Sequence, residues 1–208
     1  MSITTRVLGL VLSVCLMSAC ASGVKVATED AVFKTDREWF RSAELQLKAV
    51  DSWTMRGRIA VRFDNKGETG SILWRESAAQ QSVRLNGPFG AGAVELKVDA
   101  LGAEITDRNG NSRRATNAQT LLFESTGWIV PVANLRYWLQ GLPGPEGIIE
   151  YRVNDKEQLV ELLQGGWRVE YSTFKEFDGL ILPARLTAHL SSSNDTKVRL
   201  VIDQWDWR

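Results

Sequence analysis

Between Trp53 and Phe63 apolar residues recur at every second position. Trp53, Met55, Gly57, Ile59, Val61 and Phe63 fall on one side, and Thr54, Arg56, Arg58, Ala60 and Arg62 on the other. A sustained period of two is the signature of a strand with one oily and one wet face. It constrains the fold strongly, because the oily face must be covered. The pattern returns along most of the chain. Asn65-Lys66-Gly67 predicts a turn into a second strand over residues 69–76. Shorter strands are expected at 81–86, 92–99 and 102–107, followed by a turn at Asn109-Gly110. Strands resume at 148–153, 157–163, 166–174, 181–190 and 197–206.

Three stretches break this alternation with helical signals. Thr35 and Glu38 have capping-box spacing ahead of Trp39, Phe40 and Leu47, so a helix is expected from about residue 35 to Val50. Thr116 and Gln119 repeat the spacing before Leu121-Leu122-Phe123, with Gly127 as a stop. Pro131 suits a first helical position, Leu135, Trp138 and Leu139 then share a face, and Gly141 and Pro143 end the segment. The expected class is α+β. Its architecture is an incomplete antiparallel β-barrel, a curved sheet of about 10–11 strands under a lid of about three helices. The space between lid and sheet can be packed core or a cavity for apolar ligands, and periodicity does not separate the two.

The first twenty residues belong to a different regime. Arg6 precedes the uncharged apolar run Val7–Met17, too short for a membrane span and of the length of a signal-peptide core. Small residues Ser18 and Ala19 then lead to Cys20, and Leu16-Met17-Ser18-Ala19-Cys20 resembles the bacterial lipobox. The expected organisation is a leader at 1–19, a lipidated N-terminus and tether at 20–34, and one domain at 35–208. Two or more acyl chains on Cys20 make a firm anchor, since each buried methylene contributes about 0.8 kcal/mol. Ala21 rather than aspartate after the cysteine favours the outer membrane over the inner. With the other cysteine, Cys15, in the leader, the mature body has no internal disulfide.

The inventory of reactive groups is thin. Lysine plus arginine equals aspartate plus glutamate, 25 each, so no basic surplus points to nucleic acid. A single histidine, His189, sits on the wet side of its strand, and no second histidine or cysteine cluster offers a metal site. No Gly-x-Ser-x-Gly elbow is present, and the glycines at 87, 90 and 92 lack the spacing of a nucleotide loop. No carboxylate pair is marked out, so neither catalytic residues nor a cofactor are expected. The unusual feature is Asn86-Gly87-Pro88-Phe89-Gly90-Ala91-Gly92, which sets one phenylalanine among turn formers. Phe89 can fold back as a plug, or it can project as a finger whose burial is worth roughly 1.5–3 kcal/mol.

These strings together resemble the LolB family of outer-membrane lipoprotein receptors, over nearly the whole length. The resemblance rests on the segment ending at Cys20, on Arg56-Gly57-Arg58-Ile59-Ala60-Val61 and on Leu85-Asn86-Gly87-Pro88-Phe89-Gly90. It continues in Trp138-Leu139-Gln140-Gly141-Leu142-Pro143-Gly144, Trp167-Arg168-Val169-Glu170-Tyr171 and Val198–Ile202. The family's fold implies that the oily face is a cavity wall, with Met55, Ile59, Val61, Trp74, Trp138 and Trp167 as candidates for the acyl-chain lining. It implies that Phe89 occupies the tip of a membrane-insertion loop where the family usually carries leucine. It also implies a monomer that takes triacylated lipoproteins from the periplasmic carrier LolA and delivers them to outer-membrane lipid. Two other readings of the residues stay open: a binder of a small apolar ligand, and a periplasmic hydrolase.

Overall fold

The computed structural model describes residues 24–25, 32–48, 52–87, 93–145, 147–193 and 195–207. Cys20 and Phe89 lie outside the described residues. The first strands are β1 (Val24–Lys25), β2 (Val32–Lys34), β3 (Trp53–Phe63), β4 (Lys66–Glu76), β5 (Gln81–Asn86), β6 (Val94–Asp99), β7 (Gly102–Asp107) and β8 (Ser112–Ala115). Helices α2 (Ala118–Thr126) and α3 (Val132–Trp138) follow. The chain then returns to the sheet as β9 (Ile149–Val153), β10 (Leu159–Gln164), β11 (Trp167–Phe177), β12 (Leu180–Leu190) and β13 (Lys197–Trp207). Ahead of β3, a 3₁₀ turn at Glu38–Phe40 runs into α1 (Arg41–Lys48).

All thirteen strands pair antiparallel in one sheet, ordered β2-β9-β10-β11-β12-β13-β3-β4-β5-β6-β7-β8, with β1 paired to β11. The end strands β2 and β8 do not meet, so the barrel is incomplete, as expected. Eleven strands carry the architecture; β1 and β2 are two- and three-residue additions from the stretch read as a tether. The central pair β13–β3 joins the two halves of the chain in full register from Lys197↔Arg62 to Trp207↔Trp53 apart from one shift between Ile202 and Gln204. Gly57 sits opposite that shift, where a Cβ would lie 2.3 Å from the Val201 carbonyl oxygen. The glycine allows the two backbones to close up and the sheet to curl.

The alternation in β3 holds residue by residue: Trp53, Met55, Gly57, Ile59 and Val61 are buried while Arg56, Arg58 and Arg62 are exposed. The turn into β4 falls slightly earlier than predicted. Asp64 and Asn65 take φ of 50° and 58°, and Phe63 pairs Lys66. Two successive left-handed residues match the twist of a tight hairpin, and Asp and Asn tolerate that conformation well. Two caps also differ from expectation. The Asn117 side chain, not Thr116, accepts the Thr120 N–H at 2.9 Å and starts α2. The leading helix opens as 3₁₀ with Arg37 at its N-cap and no side-chain cap. Gly127 and Gly141 stop their segments with φ of 76° and 73°, as the sequence predicts.

The helices cover the concave face. α2 packs on β6, β7 and β8, and α3 lies next to α2. Phe40, ahead of α1, is fully buried and meets the Tyr151 ring at 4.7 Å. Sheet and helices enclose one continuous apolar cluster that runs from Phe40 and Trp53 through Leu96 and Leu135 to Trp205.

Candidate functional site

Strand phase decides which side chains face the helices. Met55, Ile59 and Val61 project inward from β3, Trp74 from β4 and Trp167 from β11; Trp138 points down from α3. All six retain at most 4% of their surface exposed and belong to the one cluster. The Trp138 and Trp167 rings stand 6.4 Å apart, and Trp74 lies 6.2 Å from Trp53, which meets Trp205 at 5.0 Å. The structure brings the six candidates together in a closed, packed interior. Val61 also reaches a cleft of about 260 Å³ at the rim, where Phe63 and the β3–β4 turn face Thr126, Gly127 and Trp128. Across this mouth the Phe63 and Phe123 rings meet edge-on at 6.1 Å, and Phe123 is 44% exposed.

The two lid helices are held differently. The end of α3 is fixed to the sheet by buried hydrogen bonds. Trp138 Nε1 donates to Gln164 Oε1 at 3.0 Å, and Gln164 clamps the Gly144 backbone, accepting from its N–H at 2.8 Å and donating to its carbonyl at 2.9 Å. The Tyr171 hydroxyl donates to the Trp138 carbonyl at 3.1 Å. Buried pairs of this kind are costly to break, because each partner loses water without replacement. By contrast, among the described residues the side-chain tie from α2 to the sheet is an exposed ion pair, Arg113–Glu124 at 3.0 Å, which contributes little. The rest of its attachment is apolar, chiefly Leu121 and Leu122. Apolar contact is non-directional and can be replaced by other apolar groups. Of the two helices, α2 is the one held mainly by apolar contact.

A second tie on α3 was not singled out from sequence. Arg136 reaches Glu76 at 2.7 Å at the end of β4. Glu76 is only 8% exposed and also accepts from Trp74 Nε1 at 3.3 Å and Gln81 Nε2 at 3.2 Å. Strand phase carried the signal: Ile72, Trp74 and Glu76 are successive inward positions, and Glu76 pairs Gln81 across the strands. Burial pushes the Glu76 carboxyl above its ordinary value of 4.5, against the opposing pull of Arg136, Trp74 and Gln81. The folded protein therefore holds this proton more tightly than the unfolded chain does. That contribution to stability is complete below pH 4.5 and is lost as pH rises through the folded value. In urea titrations the stability of Glu76→Gln relative to wild type is expected to increase as pH rises above 4.5. A constant difference across that window counts against this assignment.

No group of three or more potential metal ligands occurs among the described residues. No helix among them is long and apolar enough to cross a membrane. His189 stands on the outer face, 3.6 Å from Glu170.

Comparison with known proteins agrees with this geometry. The family described as "Outer membrane lipoprotein LolB" matches residues 51–205. The chain is 32% identical over 198 residues to the outer-membrane lipoprotein LolB of Pseudomonas savastanoi pv. phaseolicola, covering 94% of this chain and 93% of that one. It is 31% identical over 194 residues to the LolB of Pseudomonas aeruginosa PAO1, covering 93% and 92%. A LolA superfamily protein from Nitrosomonas europaea shares the fold at a TM-score of 0.54, with 9% identity over 84% of this chain and 94% of that one. The chain therefore belongs to the LolB family, and is a lipid-anchored lipoprotein of the outer membrane and not an enzyme.

Proposed function

We propose that this protein accepts triacylated lipoproteins from the periplasmic carrier LolA, shelters their acyl chains between sheet and helices, and releases them into the outer membrane. The observation that carries this reading is the asymmetric lid. A broad apolar interior is closed on one side by α3, tied with buried polar bonds, and on the other by α2, held by apolar contact. Acyl chains entering at the Phe63–Phe123 mouth can replace the contacts of Leu121 and Leu122 with their own, so opening exchanges one apolar surface for another. Met55, Ile59, Val61, Trp74, Trp138 and Trp167 then become the wall of the opened cavity. Family membership and the sheet-and-lid fold shared with a LolA superfamily protein support the same reading.

The energetics set the direction of travel. Cargo chains in water expose many methylenes at about 0.8 kcal/mol each, so they move only between apolar hosts. This interior must hold them more tightly than the carrier does and less tightly than the bilayer. Selectivity then lies in the lipid rather than in the cargo polypeptide, which stays outside. Phe89, at the membrane-insertion loop, engages the bilayer as the cavity empties, and Cys20 keeps the protein at its destination. The protein works as a monomer without a cofactor.

The test is transfer. A soluble form lacking the leader and Cys20, mixed with LolA-bound lipoprotein, is expected to take up the cargo. Cargo that stays on the carrier overturns the receptor reading, and tight capture of a free apolar molecule with no carrier dependence supports a small-ligand binder in its place.

A further inference from the structure

The interior is graded along its length. Strand register sorts the inward positions of β4, β3 and β13 into rows that cross the three strands. Counted from the Phe63–Phe123 mouth, the first rows are aliphatic or bare: Val61 with Val198, then Gly70, Ile59 and Leu200, then Ile72, Gly57 and Ile202. The next row is Trp74, Met55 and Trp205, and the last is Glu76, Trp53 and Trp207. Tryptophans from three neighbouring strands therefore gather at the end far from the mouth.

Their rings form one wall. Trp53 lies 6.2 Å from Trp74 and meets Trp205 edge-on at 5.0 Å, and Trp205 stacks on Trp207 at 4.8 Å. Trp53, Trp74 and Trp205 are buried. The wall is also fastened. Trp74 Nε1 donates to Glu76, which is held in turn by Arg136 of α3 and Gln81 of β5. Pushing Trp74 aside strips a buried carboxylate of a donor, whereas the Leu121 and Leu122 side chains of α2 give up apolar contact alone. Beyond the wall lies a pocket of about 470 Å³. Trp53 and Glu76 belong both to its lining and to the innermost row, and Leu47 and Leu142 form other parts of its walls.

Register also gives the depth. From Val61 at the rim to Met55 between the flanking tryptophans is six residues of β3, about 20 Å at the rise of a strand. An extended alkyl chain advances about 1.25 Å per carbon, from a C–C bond of about 1.5 Å and near-tetrahedral angles. The depth therefore matches a chain of about sixteen carbons.

We propose that the tryptophan wall is the floor of the acyl-chain site and sets the longest chain the protein accepts. Chains enter at the mouth, lie along β3 on the aliphatic rows and stop against Trp53, Trp74 and Trp205. The ligand class is a saturated, unbranched acyl chain of up to about sixteen carbons. Each methylene sheltered inside strengthens binding about fourfold, and carbons beyond the floor add nothing. Close-packed rings pinned by a buried carboxylate do not yield to a longer chain, so the space is made at α2. This inference rests on the reading of the interior as an acyl-chain host and adds its depth.

The test uses the chain without its leader and with Cys20→Ser, so that no bilayer competes for the probe. The probes are unbranched saturated fatty acids, in a series from well below to well above the matching length and below their micelle concentrations. Their dissociation constants are read by displacement of a fluorescent fatty acid. The expected Kd falls about fourfold per added carbon up to about sixteen carbons and then stops falling. In Trp53→Ala the wall opens into the pocket behind it, and the break moves to longer chains by about five carbons, the length of one inward row. A chain of about twenty carbons then binds about a hundredfold tighter than it does to the unaltered protein. If Trp53→Ala does not fold, Trp53→Leu moves the break in the same direction by less, and the unaltered protein still supplies its own series. A weaker affinity at every length with the break unmoved assigns Trp53 to packing alone and overturns the proposal. So does an affinity that keeps rising through the whole series, or no binding at any length. LolA-bound lipoprotein is offered to the same protein in parallel. Cargo uptake without a length limit removes the floor and leaves the receptor reading standing. A length limit without uptake from the carrier keeps the floor and refutes the receptor reading instead.

Discussion

Trp138→Ala is expected to destabilise the protein by about 3–5 kcal/mol, the range for a large aromatic removed from a core. Trp138 is fully buried, lies at a tilt 6.4 Å from the Trp167 ring, and bonds Gln164 through its indole N–H. The substitution leaves a void between α3 and the sheet, because the segment on either side is held in place independently. Gln164 keeps its bonds to Gly144, and the Trp138 backbone carbonyl keeps the Tyr171 hydroxyl. Those ties prevent α3 from collapsing into the space, which places the cost in the upper part of the range. Trp138→Phe retains most of the apolar volume and loses one hydrogen bond, for an expected loss of about 1–2 kcal/mol. Urea unfolding checks both: the midpoint shifts while the slope is unchanged. A loss below about 1 kcal/mol for the alanine variant shows that α3 is not part of the cooperative core.

Phe89→Glu is expected to leave uptake of cargo intact and to reduce its delivery into vesicles by roughly ten- to a hundredfold. The size follows from the roughly 1.5–3 kcal/mol that burial of a phenylalanine contributes, withdrawn here from the membrane-bound state. On the proposed function the two steps separate, with uptake assigned to the interior and delivery to the loop. Phe89→Leu restores an apolar side chain and is expected to recover most of the delivery. Uptake is read by carrier-to-receptor transfer and delivery by lipoprotein recovered with the vesicles. Unchanged delivery by the glutamate variant removes Phe89 from the mechanism.

Much of the fold was legible because strand phase is a strong local signal. The alternation at Trp53–Val61 gave the buried face correctly, and it places Trp74 and Trp167 in the same interior. β8 escaped notice because Ser112-Arg113-Arg114-Ala115 is an edge strand with little to bury and so shows no oily face. Asn117 competes with Thr116 as a cap, and only the backbone angle of the chosen residue separates two such neighbours. Glu76 and Gln164 were passed over because carboxylates and amides are abundant in the sequence, and abundance conceals the few that are buried. Their inward phase was the available clue.

The sequence by itself determined the alternation that demands a covered sheet, the inward positions on its strands and the family. These are local properties, carried by neighbours in the chain or by short motifs. Tertiary structure alone decided that β13 closes on β3, that α3 is bolted to β10 and β11 while α2 rests on apolar contact, and that Arg136 meets Glu76. It also decided which arginines on the outer face find an acid. Each depends on residues far apart in sequence, such as Arg58 and Asp203, whose meeting is set by strand order and register. Hydrophobic patterning fixes which face of a strand is buried; it does not fix which strand lies beside it.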